Sequence, residues 1–197
     1  MAPNKKGAQE TGARLAFIDE AGFSKTPPTA RTWSPKGNTP IIRHTYDREK
    51  LNAMASIDCA PDGTDANVMF YMQPGSVVSD SIIDYLDALH REITGKIVLL
   101  WDGYSPHKSK VVKEHIARCG DWLTVERFPA YAPELNPPEY LFSAIKRKDL
   151  GNLPVVSIDH IAHKIESAVD RLADDQTIIH GFLRASGLFD KPESTSG

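Results

Sequence analysis

The sequence predicts an α/β domain built on a mixed sheet, three antiparallel strands followed by parallel ones, with helices on its faces. Two strand-like runs separated by a tight turn follow an apolar run that ends on two carboxylates. Hydrophobic spacing then lengthens from two residues to three or four, and a short, wholly apolar run comes after it.

Residues 14–24 (RLAFIDEAGFS) begin as a buried strand that delivers Asp19 and Glu20 to one end. Residues 51–57 and 68–72 read as two further strands, and the Ala60-Pro61-Asp62-Gly63 turn between them favours an antiparallel meander. From Ser79, placed to cap a helix, Ile82, Ile83, Leu86, Leu89 and Ile93 recur at helical spacing. Residues 96–101 (KIVLLW) are dense enough in apolar groups to be buried on both faces, as central strands of parallel sheets are, and Asp102-Gly103 follows. A short helix over 108–119, a strand over 123–128, a helix from 137 to about 148 and another over 158–172 complete the order. Such a βββαβαβαα sequence matches a ribonuclease-H-like mixed sheet flanked by helices.

The chain has 197 residues, enough for one domain with a sizeable core. We expect disorder in residues 1–13, a single domain over 14–190, and a disordered polar tail over 191–197. No apolar run approaches the ~20 residues that span a bilayer, and the positively charged N-terminus has no apolar stretch behind it, so a cytoplasmic protein is expected. Cys59 and Cys119 lie outside any CxxC pattern and read as core thiols. The net charge of −3 argues against coating nucleic acid by bulk electrostatics, but residues 25–50 carry six basic groups against two acids. A local basic surface is compatible with the acidic total.

Three acids follow strands or open a helix: Asp19, Asp102 and Glu139. A carboxylate set directly after an apolar strand costs desolvation unless something neutralises it. Mg²⁺ prefers hard oxygen ligands and keeps waters for substrate phosphates, so carboxylates converging at a sheet edge suit phosphoryl transfer. Each acid also has a structural reading. Asp19 can cap a turn, Asp102 can open an Asp-Gly turn, and Glu139 stands where a capping-box acid belongs after Asn136-Pro137-Pro138. Ser143 and Lys146 share a helical face with Glu139, whereas Leu141, Phe142 and Ile145 point elsewhere, so this acid can face substrate.

The segments FIDEAGFS (17–24), RTWSPKGNTP (31–40), VLLWDGYSPHKSK (98–110) and RFPAYAPELNPPEYLFSAIKRK (127–148) together resemble the catalytic domain of bacterial insertion-sequence transposases of the mariner superfamily. The resemblance runs from about residue 15 to 150, and its most specific piece is the Pro-Glu-Leu-Asn-Pro-Pro-Glu text. It implies that Asp19, Asp102 and Glu139 form an Asp-Asp-Glu catalytic triad. The 36 residues between Asp102 and Glu139 slightly exceed the spacing familiar in that superfamily, a difference that a surface loop absorbs. It further implies two Mg²⁺ or Mn²⁺ ions, cleavage of double-stranded DNA at element ends, and joining of the 3′ end to a target, typically at TA. Glu20 falls on the opposite face of a continuing strand and is left outside the metal set.

His107, five residues after Asp102, either approaches the bound phosphate or orients the loop. Arg31, Trp33, Lys36 and Arg43 combine basic groups with an aromatic, as DNA-backbone contacts do, or form a solvated loop. Lys146, Arg147 and Lys148 either bind phosphate or complement a helix C-terminus. Transposases of this kind carry helix-turn-helix domains ahead of the catalytic one and act as oligomers on DNA. Since the strand bearing Asp19 begins almost at once, sequence-specific binding is expected from a separate or fused helix-turn-helix polypeptide. Two alternatives stand beside the active enzyme. One is a non-catalytic remnant that regulates by binding DNA or a partner; the other is a general ribonuclease-H-like nuclease.

Overall fold

A computed structural model describes residues 5–189 except 27, 29, 32, 39–40, 42–48, 130–131 and 154–156. Arg43 and the 191–197 tail therefore lie outside the described residues. Five strands form one sheet in the order β3-β2-β1-β4-β5. They are β1 (Arg14–Ser24), β2 (Lys50–Cys59), β3 (Asn67–Pro74), β4 (Ile97–Trp101) and β5 (Leu123–Arg127). β1, β2 and β3 pair antiparallel, while β1, β4 and β5 run parallel, the mixed sheet expected from the sequence.

Among the described residues six α-helices accompany the strands: α1 (Lys5–Thr11), α2 (Ser79–Glu92), α3 (Lys110–Arg118), α4 (Pro137–Ala144), α5 (Ile158–Ala173) and α6 (Gln176–Ala185). Each sheet face carries its own core. Leu15, Phe17, Val98 and Leu100 pack with Leu141 and Phe142 of α4, with Ile145 just after it, with Ile161 and Ile165 of α5, and with Ile179 and Leu183 of α6. On the other face, Ala16, Ile18, Ile97, Leu99 and Trp101 pack with Ile82, Leu86 and Leu89 of α2 and with Val112 of α3. Alternate residues of β1 and β4 thus serve opposite layers, as the pleat requires, and β4 is buried at all five positions.

Several details differ from the sequence reading. Residues 5–11 of the segment expected to be disordered form α1, whose Ala8 is fully buried. Gly12 ends this helix at φ +65°, the left-handed stop that glycine adopts freely. Small residues and a length of seven hid the helix from periodicity. Ser79 does not cap α2: Val78 holds the N-cap position, and Ser79 Oγ instead donates to Ser109 Oγ at 2.9 Å. The helix expected over 108–119 divides into a 3₁₀ turn, Pro106–Lys108, and α3, with Ser109 capping α3 by accepting from the Val112 amide. After α4 the chain continues as a π-helical turn, Ile145–Asp149. α6 was not foreseen at all.

Candidate active site

β1 is longer than an acid-terminated strand. It runs five residues beyond Asp19 because β2 pairs with it through Ser24. Its parallel neighbour β4 stops at Trp101, and their pairing ends at Phe17 and Leu100. Continuing that register by two residues brings Asp19 level with Asp102. Here, beyond the carboxyl end of β4, one edge of β1 loses its neighbour, and open α/β sheets characteristically form ligand crevices at such places.

An open pocket of about 330 Å³ occupies this position. Its walls include Asp19, Asp102, Gly103, Arg127, Asn136 and Glu139. The three acids singled out from sequence therefore meet in one place, contributed by β1, the β4 exit and the first turn of α4. Glu139 hydrogen-bonds the Asp19 carboxyl group, and burial together with that neighbour raises Asp19 to about 8. Burial and a neighbouring carboxylate both favour the neutral form of Asp19.

α4 is held to β1 by Asn136. Its Nδ2 donates to the Ile18 carbonyl at 3.4 Å, so its side chain does not cap the helix. The capping reading of Glu139 is set aside by the same geometry, since Glu139 contacts Asn136 by its backbone amide and directs its carboxyl group to Asp19. Asn136 Oδ1 is buried in the pocket wall without a hydrogen-bond partner among the described residues.

Asp102 Oδ1 accepts the Tyr104 amide at 2.8 Å, the Asp-Gly turn expected from sequence, and also lies 3.3 Å from His107 Nδ1. The hydrogen bond from His107 leads the causes that hold Asp102 below the ordinary carboxylate range. His107 is 1% exposed, stacked on Trp101 with ring centroids 4.1 Å apart and planes at 6°. Burial opposes its protonation, but hydrogen bonds to Asp102 and Glu20 outweigh that and carry it to about 9. Glu20 does point away from Asp19, as the pleat predicts, yet it meets His107 Nε2 at 2.7 Å. Glu20, Asp102 and His107 are the one group among the described residues whose possible metal-ligand atoms lie within 4.8 Å of one another.

The basic residues separate. Arg31, Trp33 and Lys36 are exposed, Trp33 almost completely. Lys146 stands 5.4 Å from the Phe23 ring centroid and lines a second hollow with Gly22, Phe23 and Leu150, away from the carboxylates. Arg147 and Lys148 are exposed on the π-helical turn. Arg127, which the sequence reading passed over, does line the carboxylate pocket; its signal was its place at the end of a parallel strand, paired with Trp101.

The donors fit a divalent cation. Asp19 and Glu139 offer hard oxygens, neither is ion-paired with lysine or arginine among the described residues, and the Asn136 acceptor stands unoccupied beside them.

The mixed sheet flanked by helices is a ribonuclease-H-like fold, and residues 14–161 match the model of the DDE superfamily endonucleases, the family to which the chain belongs. Among solved structures, the fold is similar to that of the Mos1 mariner paired end complex with Mn, at TM-score 0.63 and 15% identity over 93% of this chain and 54% of that one. The Mos1 strand transfer complex gives TM-score 0.62 at 15% identity with the same coverage. The catalytic domain of Mos1 mariner transposase gives 0.56 at 14% identity over 93% of this chain and 81% of that one. The chain thus spans about half the length of the Mos1 chains in the two complexes. No curated protein matches it significantly by sequence. Among the described residues, no helix is long and apolar enough to cross a membrane.

Proposed function

We propose that the chain is the catalytic domain of a DNA transposase, cutting double-stranded DNA at element ends and joining them to a target, typically at TA. The observation that carries this reading is the meeting of Asp19, Asp102 and Glu139 in one pocket of a DDE-family fold. These three would hold divalent cations, Mg²⁺ or Mn²⁺ and two in number. Such ions lower the pKa of a bound water and stabilise charge on phosphoryl oxygens.

The protein's own groups do the rest. Asp19 gives up its proton so that its carboxylate can take up a cation beside Glu139. Asn136 fixes the start of α4 against β1 and so sets the Asp19–Glu139 separation. Arg127 offers a fork of donors to a phosphate entering the pocket. Arg31, Trp33, Lys36, Arg43, Arg147 and Lys148 supply backbone contacts along the duplex, and Lys146 supports them from its place on Phe23. Choice of element end belongs to helix-turn-helix domains, fused or on a separate polypeptide, acting in a homo-oligomer on DNA.

The test is cleavage of DNA carrying the inverted repeats that flank the gene, with Mg²⁺ or Mn²⁺ and with each acid replaced. Metal-dependent cleavage lost in Asp19→Asn, Asp102→Asn and Glu139→Gln supports the reading. Metal-dependent cleavage unchanged in any one of them removes that residue from the triad.

A further inference from the structure

Glu20 is not among the residues lining the pocket, yet it is largely buried and aimed at the buried His107 ring. His107 is held on three sides. Trp101 stacks on one face, Tyr104 meets it edge-on with centroids 5.5 Å apart, and only 1% of the residue reaches solvent. Both ring nitrogens face oxygens of acidic residues: Nε2 meets Glu20 Oε1 at 2.7 Å, and Nδ1 lies 3.3 Å from Asp102 Oδ1 and 3.4 Å from the Asp102 carbonyl oxygen. A carboxylate only accepts, so the ring donates in both directions. Glu20 and His107 touch directly, which accounts for the pair by hydrogen bonding without a cation between them.

We propose that Glu20 is a positioning residue for Asp102, acting through His107 from the opposite face of the sheet. This rests on the reading of Asp102 as a cation ligand. Asp102 is the most exposed carboxylate of the Glu20–His107–Asp102 chain, with 52% of its side chain accessible. It sits on the loop that leaves β4, and a loop side chain samples several rotamers unless something fixes it. One oxygen is fixed by the Tyr104 amide and by His107. The other is left for the pocket. Without Glu20, His107 keeps its stacking on Trp101 but loses the anchor that sets its rotation in the ring plane, and Asp102 loses a directed donor. Partners one step removed from a metal typically change cation affinity 10–100-fold when removed.

Mn²⁺ titration calorimetry on the DNA-free protein tests this, with circular dichroism as a check on folding. Glu20→Ala is expected to weaken Mn²⁺ binding about tenfold while Glu20→Gln, which keeps an acceptor for the Nε2 proton, stays close to wild type. His107→Ala is expected to match Glu20→Ala, and the double variant to lose no more than either alone, because the two act as one chain. Wild-type affinity in Glu20→Ala, or losses that add in the double variant, overturns the proposal. Failure of the wild type to bind Mn²⁺ at all overturns the metal reading of the pocket instead. Should Glu20→Ala not fold, nitrogen-15 spectra of the unaltered protein decide. A His107 Nε2 proton in slow exchange supports the bond to Glu20, and its absence overturns the proposal.

Discussion

The carboxyl groups of Asp19 and Glu139 are hydrogen-bonded to each other, one from a strand and one from the first turn of a helix. Neither α4 nor β1 needs this contact for its own formation. The pair is a cost that the fold carries in the absence of a cation, and it makes the site's behaviour depend on pH.

Asp19 is raised from 3.8 to about 8 by burial and by Glu139. A raised native value means that the stability contributed by the protonated form is complete below about 3.8 and is lost as pH rises through about 8. Without cation, the melting temperature is therefore expected to fall as pH rises from about 4 to about 8 and to level off above that, and added Mg²⁺ to restore it most at the alkaline end. Asp19→Asn is expected to flatten the profile and abolish the Mg²⁺ effect. Calorimetry in buffers of different ionisation heat should record proton release on cation binding.

Trp101 is 1% exposed and is both the last residue of β4 and the platform for His107. Trp101→Ala is expected to cost about 3–5 kcal/mol in urea unfolding. Trp101→Phe should cost much less, since Trp101 Nε1 is buried without a partner among the described residues and the replacement removes that unsatisfied donor.

Asn152 clamps the segment that leads to Arg31. Its Oδ1 accepts the Ala30 amide at 2.9 Å, its Nδ2 donates to the Ala30 carbonyl at 2.7 Å, and its own backbone stands at φ +57°. Asn152→Gly keeps that backbone conformation and removes both bonds. Hydrogen exchange at the Ala30 amide is expected to accelerate at least tenfold, corresponding to about 1.4 kcal/mol or more. Beside it, Gly151→Ala is expected to cost about 1–3 kcal/mol, because a Cβ there would collide with the Arg147 carbonyl and stand 2.9 Å from Ala30 Cβ.

Arg147 and Lys148 are exposed, whereas Lys146 lies against Phe23. Arg147→Ala and Lys148→Ala are each expected to weaken DNA binding without sequence preference and to reduce the slope of log affinity against log salt by about one. Lys146→Ala should change that slope less. Filter binding across a salt series separates the three.

Strand and helix order was legible because each layer stamps its period on the chain: Leu15, Phe17 and Ala16, Ile18 alternate between two cores, and β4 is apolar throughout because both of its faces are covered. α1 and the capping of α2 were not legible. Ala8 is buried by what packs on it rather than by any pattern around it, and Ser79 prefers a tertiary partner, Ser109, to its own helix. Asp19, Asp102 and Glu139 stood out from the text around them, and Asp19 and Asp102 are level through a parallel register that no local pattern reveals. Glu20 and Arg127 escaped for the same reason. Glu20 matters through His107, 87 positions away, and Arg127 through its place beside Trp101.

The neighbouring acids on β1 also bear on which changes of length the gene can tolerate. Losing or gaining a single codon between Arg14 and Asp19 would rotate the two carboxylates onto each other's faces and turn Phe17 and Ile18 out of their cores in the same event. Substitutions in this stretch can be graded in effect, but single-residue indels there are expected to be null. An insertion of any length in the segment joining β1 to β2 leaves both faces as they are. Surveys of variants of this chain should find length variation in that connection and none in the half-strand ahead of Asp19.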